Sequence, residues 1–154
     1  MPAHPAGPRH GDVIEVHGAP PRPADPDALA SLDPAIWPTS ADRGTDGLMR
    51  IGGVAVTAIV AEAGSPVVVL DRQQLSAAAR DYVAAYAATG ADTTVYYAGK
   101  AFLATAVARW LDAEGMGIDV CTQGELEIAV RAGVPGERIL FHGNNKSEAE
   151  IARA

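Results

Sequence analysis

The chain has 154 residues, of which 48% are hydrophobic, so it is long enough to bury one core of ordinary domain size. Its net charge of −7 and its lack of clustered Lys and Arg argue against a nucleic-acid partner. The single cysteine, Cys121, excludes an internal disulfide. The sequence also has no apolar signal core and no apolar run of membrane-spanning length. We therefore expect a cytoplasmic protein without a membrane partner.

Proline dominates the N-terminal part of the chain. Nine of the 11 prolines lie in residues 1–38, where they fix φ and remove backbone hydrogen-bond donors. We therefore predict a largely irregular arm over residues 1–45, with one helical turn in "DALASLDPAIWP" and with Trp37 as an anchor on a neighbouring surface.

Residues 46–71 form the second predicted segment. The stretch "GLMRIGG" predicts a short strand, and "VTAIVAEAG" predicts a short helix. The stretch "SPVVVLD" predicts another strand, ending at Asp71, because β-branched residues favour extended backbone.

After Asp71 the pattern becomes a regular alternation of helices and strands. Asp71 is a predicted N-cap, with Gln74 at the reciprocal position, for a helix that runs to about Thr89 and stops at Gly90. The remaining strands are predicted at 93–98, 117–121 and 138–142. A further helix is predicted from about Phe102 to Gly115. The next is predicted over 123–132, with a Thr122–Glu125 capping box and a stop at Gly133, and the last begins at a Ser147–Glu150 capping box.

This alternation of short apolar strands with helices predicts an α/β fold with buried parallel strands. A doubly wound sheet and a (β/α)8 barrel both fit the pattern. A barrel normally takes roughly 250 residues, whereas three barrel-type strands are predicted here. We therefore expect the chain to be the front part of a larger protein.

Lys100 lies where a predicted strand passes into a helix. Ligands of α/β folds bind at the carboxyl ends of the strands, so this amine is placed at the expected site. Its neighbours in sequence are apolar or aromatic, and an amine in such surroundings can become a nucleophile. The pattern alone also fits an ordinary strand-end lysine that reaches solvent or a carboxylate.

Asp119 occupies the matching place on the next strand. Its carboxylate could bind a ligand, pair with Lys100 or cap a loop. The following strand ends in "HGNNKS", which begins at His142 and includes Lys146. Its polar side chains suit a functional loop, while Gly143 and the two asparagines also suit ordinary turn chemistry.

The other chemical candidates are weaker. Cys121 has no basic neighbour in sequence and is expected to be a structural thiol. His4, His10 and His17 show no metal-ligand spacing, so we expect no metal site. The "GMG" at 115–117 lacks the third glycine of a dinucleotide-binding motif.

Three stretches together resemble the diaminopimelate decarboxylases. "VYYAGKAF" is similar to the cofactor-lysine strand of these enzymes, and "GIDVCTQGELEIAVRAGVPGERILFHGNNKS" resembles the segment that follows it. "IGGVAVTAIVAEAGSPVVVLDRQQL" extends the likeness, which covers roughly residues 46–154. The lysine strand is shared with other barrel-type pyridoxal-phosphate enzymes, including ornithine and arginine decarboxylases and alanine racemases, whereas "FHGNNKS" is more particular to the diaminopimelate branch.

The resemblance implies a function and a set of site residues. Lys100 would bond covalently to pyridoxal phosphate, and Ala98, Asp119 and His142 would bind the cofactor. The implied reaction is decarboxylation of meso-2,6-diaminopimelate to L-lysine and carbon dioxide, by a homodimer acting on a small amino acid. Many relatives read "YAVKAN" at the lysine strand, where this chain has Gly99 and Phe102.

The resemblance also implies the architecture. Residues 72–154 would be the first part of a (β/α)8 barrel of the alanine racemase type. Residues 46–71 would contribute the strands 48–52 and 66–70 to a β-domain. We expect the 154 residues alone to be inactive, since the implied phosphate loop, ring-nitrogen acid and stacking histidine match nothing here. A pyridoxal-phosphate decarboxylase for ornithine or arginine, and a non-catalytic remnant of a truncated gene, are the alternative interpretations.

Overall fold

A computed structural model describes residues 32–33 and 35–154. The chain divides into two units, Met1–Trp37 and Pro38–Ala154. The predictions for residues 1–31 lie outside the described residues. The predicted helical turn is found at its described end, where the backbone N–H groups of Ile36 and Trp37 donate to the Asp33 carbonyl at 3.0 and 2.8 Å.

A small antiparallel sheet begins the second unit. Its strands β1 (Ala41–Arg43), β2 (Met49–Ile51) and β3 (Val54–Ala55) pair in sequential order. Arg50 and Asp46 form an ion pair at 2.7 Å beside the turn between β1 and β2, and the hydrogen bond from Arg50 lowers the pKa of Asp46 to about 2. Helix α1 (Val56–Ala63) follows at once, so the strand and helix predicted for residues 46–64 are confirmed.

The strand predicted for "SPVVVLD" is wrong for the described part of the chain. Residues 65–71 form no ladder there, and Val68 is 94% exposed. The β-branched residues do favour extended backbone, but a strand also needs a hydrogen-bonding neighbour. No described strand lies beside this segment.

Helix α2 (Arg72–Ala87) begins at the predicted cap. The Asp71 carboxylate accepts from the N–H groups of Gln73 and Gln74 at 2.7 and 3.4 Å. The reciprocal contact predicted for Gln74 is wrong, because its side-chain oxygen accepts from the Ser40 hydroxyl at 2.9 Å. The helix ends two residues before the predicted Thr89, and Gly90 follows with φ of 73°.

A three-stranded parallel sheet forms the rest of the unit. Its strands are β4 (Tyr96–Ala98), β5 (Gly117–Val120) and β6 (Ile139–Phe141), which lie in the order β4-β5-β6. Helix α3 (Thr105–Ala113) joins β4 to β5, helix α4 (Gln123–Ala132) joins β5 to β6, and helix α5 (Glu148–Arg153) follows β6. The predicted parallel α/β arrangement is confirmed, although α3 begins three residues later than expected.

The core lies between this sheet and its helices. Ile118 and Val120 of β5 are fully buried and belong to one cluster with residues of α3 and α4, among them Leu111 and Leu126. Because side chains alternate along a strand, Asp119 lies on the opposite face. The register Ala98–Asp119–Leu140 places these three residues side by side there.

Both predicted capping boxes are confirmed. The Thr122 and Ser147 side chains accept from the backbone N–H groups of Glu125 and Glu150, and each glutamate returns a contact to its cap residue. These boxes fix where α4 and α5 begin, and so fix the loops that follow β5 and β6.

Candidate functional site at the carboxyl ends of the parallel strands

Lys100 lies in the turn immediately after β4 and is exposed. The backbone N–H of Gly99 donates to the Asp119 carbonyl at 2.8 Å, and this is the hydrogen bond to β5 nearest Lys100. A Cβ at position 99 would come within 2.9 Å of that carbonyl oxygen, so glycine permits the close approach of the two strands. The amine is thus carried at the carboxyl end of β4, where the sequence predicted it.

The two lysines of the chain have different surroundings. The Lys146 ammonium donates to the Cys121 carbonyl and lies 4.2 Å from the centroid of the Phe141 ring. The Lys100 amine makes no hydrogen bond or ion pair with any residue that the structure describes. Of the two side chains, Lys100 is therefore the one whose amine is accessible to a ligand.

Asp119 and His142 lie at the carboxyl ends of the two strands next to β4. Nδ1 of His142 contacts Oδ1 of Asp119. The backbone N–H of His142 also donates to the Val120 carbonyl at 3.0 Å, so both side chain and backbone hold this residue against β5. The pairing of Asp119 with Lys100 that the sequence allowed is wrong, because the carboxylate contacts His142 instead.

The predicted site residues share one face of the sheet. Ala98 and Asp119 are neighbours in register on the face away from the helices, and His142 reaches Asp119 from the end of β6. Tyr96 and Leu140, also on this face, are 36% and 47% exposed. The structure thus brings three of the four predicted residues to one side of the sheet, with Lys100 at its rim.

The loop after β6 combines turn geometry with specific contacts. Gly143 has φ of 116° and Asn145 has φ of 59°, so the predicted turn chemistry is found. A Cβ at position 143 would come within 2.9 Å of both the Cys121 sulfur and the Lys146 ammonium. Cys121 is half-buried beneath this glycine, in keeping with the structural role expected for its thiol.

Glu125 is a residue whose second role sequence analysis missed. Besides capping α4, its Oε2 accepts from the backbone N–H groups of Cys121 at 2.7 Å and Thr122 at 2.9 Å. Burial by itself raises the pKa of Glu125, but these backbone donors outweigh it and hold the pKa below its ordinary value. The capping-box pattern identified the contact with Thr122, whereas nothing in the spacing indicated the one with Cys121.

A cavity of about 610 Å³ lies beside the free edge of β4. Its walls come from α2 and β4 and carry tyrosines, among them Tyr82, Tyr86 and Tyr96. Lys100, Asp119 and His142 do not line it. Ala98, the fourth predicted site residue, does line it, so the cavity adjoins the candidate site at β4.

The described residues contain neither a membrane-spanning helix nor a cluster suited to a metal ion. No helix among them is long and apolar enough to cross a membrane. No group of three or more His, Cys, Asp or Glu side chains in that part of the chain is placed to hold a metal ion. His4, His10 and His17 lie outside the described residues.

Residues 72–154, more than half of the chain, match the family described as "Pyridoxal-dependent decarboxylase, pyridoxal binding domain". The match begins at the first residue of α2 and includes the whole parallel sheet.

Curated relatives with the name diaminopimelate decarboxylase resemble the chain over most of its length. The protein of Mycobacterium leprae is 41% identical over 154 residues, which are 100% of this chain and 32% of the relative. The protein of Mycobacterium tuberculosis is 42% identical over 126 residues, covering 82% of this chain and 28% of the relative. The chain thus spans about a third or less of the length of these relatives.

Solved structures also match part of the chain. The diaminopimelate decarboxylase of M. jannaschii in co-complex with L-lysine superposes with a TM-score of 0.69 at 31% identity, over 75% of this chain and 27% of that one. A structure of AQ1208 from Aquifex aeolicus superposes with a TM-score of 0.62 at 30% identity, over 74% of this chain and 27% of that one.

Proposed function

Because the chain belongs to the pyridoxal-dependent decarboxylase family through its pyridoxal-binding domain, we propose that it is the cofactor-lysine segment of a diaminopimelate decarboxylase. The reaction of the full-length protein would be decarboxylation of meso-2,6-diaminopimelate to L-lysine and carbon dioxide. The observation that carries this proposal is the Lys100 amine, which is exposed at the carboxyl end of β4 and has no partner among the described residues.

The donor set at the sheet edge fits pyridoxal phosphate. The cofactor's aldehyde needs a primary amine, and the Lys100 amine is not hydrogen-bonded or ion-paired to any described residue. Its polar ring substituents need hydrogen-bonding groups, and Asp119 and His142 lie at the ends of the neighbouring strands. Ala98, in register with Asp119, adds no bulk on that face.

Each residue has a distinct task in this proposal. Lys100 would hold the cofactor through its side-chain nitrogen and would take part again when product leaves. The contact between Nδ1 of His142 and Asp119 leaves Nε2 as the ring nitrogen that can face a ligand. When bound, pyridoxal phosphate would supply the electron sink for the pair left behind as carbon dioxide departs.

The choice of substrate rests on the relatives and on one sequence feature. The relatives with 38–42% identity carry the name diaminopimelate decarboxylase, and this chain includes the "FHGNNKS" loop of that branch. We expect the full-length protein to act as a homodimer on a small amino acid. We also propose that residues 46–71 belong to a β-domain and that residues 72–154 begin the barrel.

The experiment that tests the role of Lys100 is borohydride reduction of the full-length protein with pyridoxal phosphate, followed by peptide mapping. The label should be found on Lys100, and Lys100→Ala should lose both the label and the decarboxylase activity. Lys146→Arg is the matched lysine control and should retain the label at position 100. Label on a different lysine in the parental protein would contradict the proposal.

The substrate is tested by measuring carbon dioxide release from a panel of amino acids. Release from meso-2,6-diaminopimelate, with L-lysine as the other product, is the expected outcome. Release from ornithine or arginine in its place would assign the chain to another branch of the family. No release from any of the three, with the cofactor bound, would favour a non-catalytic remnant.

A further inference from the structure

The ends of β5 and β6 are joined by a cluster of five residues, which we call the end cluster: Cys121, Glu125, Phe141, Gly143 and Lys146. The peptide of Cys121 lies at its centre. The Cys121 N–H donates to Glu125 at 2.7 Å, and its carbonyl accepts from the Lys146 ammonium. The backbone just beyond β5 is therefore held on one side by an anion and on the other by a cation.

Three further features fix the position of Lys146. It is half-buried, and its ammonium lies 4.2 Å from the centroid of the Phe141 ring, the last residue of β6. Gly143 leaves room for it, because a Cβ there would come within 2.9 Å of the ammonium and 3.6 Å of Cε. A charged side chain that is desolvated over an aromatic face and bonded to a carbonyl has one well-defined location.

The end cluster adjoins the Asp119–His142 pair along the chain. Asp119 lies two residues before Cys121, and His142 lies between Phe141 and Gly143. The contact between Asp119 and His142 requires the ends of β5 and β6 to keep a fixed separation. Lys146 connects those two ends, since it donates to one and lies over the ring of the other.

We propose that Lys146 is a positioning residue for the cofactor site: its contact with Cys121 holds the Asp119–His142 pair in place. The inference rests on the proposed function. Without this contact the loop after β6 would lose one of its connections to β5, and the His142 side chain would be held less firmly against Asp119, although the backbone bond from His142 to Val120 would remain. The site would then bind pyridoxal phosphate more weakly, although Lys146 does not itself touch the cofactor.

The test uses the full-length protein and compares three variants by two measurements. One is the apparent Kd for pyridoxal phosphate, from absorbance titration of the apoprotein. The other is the denaturant midpoint of the same apoprotein. Lys146→Met removes the donor and should raise the apparent Kd about tenfold, while Lys146→Arg keeps a donor and should restore most of the affinity. Arg153→Met, which breaks an exposed ion pair with Glu127, is the matched control and should leave the Kd unchanged.

Each outcome decides the matter. A raised Kd in Lys146→Met with an unchanged denaturant midpoint, and rescue by Lys146→Arg, supports the proposal. Parental affinity in Lys146→Met overturns the proposal. A raised Kd also overturns it if the denaturant midpoint falls far enough for the loss of stability to account for the weaker binding. If Lys146→Met yields no folded protein, Gly143→Ala replaces it, because the added methyl group displaces the same ammonium. Parental affinity in Gly143→Ala overturns the proposal, and a raised Kd supports it. Failure of the parental protein to bind the cofactor would instead refute the proposed function.

Discussion

The contact between Asp119 and His142 shows how strand register creates a site from residues far apart in sequence. The two residues are separated by 23 positions, yet they meet because β5 and β6 are parallel neighbours. The carboxylate orients the ring by occupying Nδ1, which leaves Nε2 directed elsewhere. His142 therefore depends on Asp119 for its orientation, and in the proposed site Asp119 would act on the cofactor partly through His142.

This dependence predicts the effect of Asp119→Ala in the full-length protein. Loss of the carboxylate frees the His142 ring, and the apparent Kd for pyridoxal phosphate should rise about tenfold. Asp119→Asn keeps an oxygen that can accept from Nδ1 and should show a smaller rise. Both are measured by absorbance titration.

Asp92→Ala, in the exposed loop before β4, is the matched control and should bind the cofactor as the parental protein does. Equal affinities for Asp119→Ala and this control would contradict the proposed role of the pair.

At the scale of the element, the carboxylate of Glu125 decides how α4 begins. It accepts from two successive backbone N–H groups, those of Cys121 and Thr122, while the Thr122 hydroxyl accepts from the backbone N–H of Glu125 at 3.2 Å. The start of the helix and the end of β5 are therefore fixed by one side chain.

Glu125 should make stability depend on pH. Its pKa in the folded protein lies below the ordinary value of 4.5, so the carboxylate stabilises the fold above that pH, and this contribution is lost as the pH falls through the folded-state pKa. Glu125→Gln should cost about 1 kcal/mol at pH 7. The denaturant midpoints of variant and parent should converge as the pH is lowered below 4.5.

The control for this measurement is Glu62→Gln, an exposed residue of α1, whose midpoint should follow that of the parent at every pH. A stability difference between Glu125→Gln and the parent that stays constant from pH 7 to acid would contradict the assigned role of the carboxylate.

The elements that the sequence predicted are those whose signals are local. A capping box such as Thr122–Glu125 needs four consecutive residues, and its start for α4 is correct to the residue. The segment "SPVVVLD" was predicted wrongly because strand formation depends on a distant pairing partner, which the segment itself does not encode. The positions of Lys100 and Asp119 were predictable because each follows from the end of its own strand. The choice of His142 as the partner of Asp119 was not predictable, because it depends on how two distant strands pair.

At the scale of the whole molecule, the parallel sheet and the helices packed on it form part of a barrel wall. The expected α/β fold with a partial (β/α)8 barrel is confirmed, given the parallel sheet and the TM-scores of 0.62 to 0.69. One face of the sheet is covered by helices, while the face that carries Tyr96 and Leu140 is open among the described residues. The outer edges of β4 and β6 have no strand beside them in that part of the chain.

Open sheet edges and apolar faces promote association between chains. A polypeptide of these 154 residues alone should therefore self-associate and lack decarboxylase activity. Sedimentation velocity over a range of concentrations measures the first, and carbon dioxide release measures the second. A monodisperse and active preparation would contradict this prediction, and the full-length protein under the same conditions is the control.

The unequal surroundings of the two lysines have a consequence for chemical selectivity. An aldehyde that reaches the folded chain meets one side-chain amine free to react, since the other is already committed to a carbonyl and an aromatic ring. The aldehyde is thus directed to Lys100 because the contacts of Lys146 make its amine unavailable. A residue that never meets the cofactor would in this way help to decide where the cofactor becomes attached.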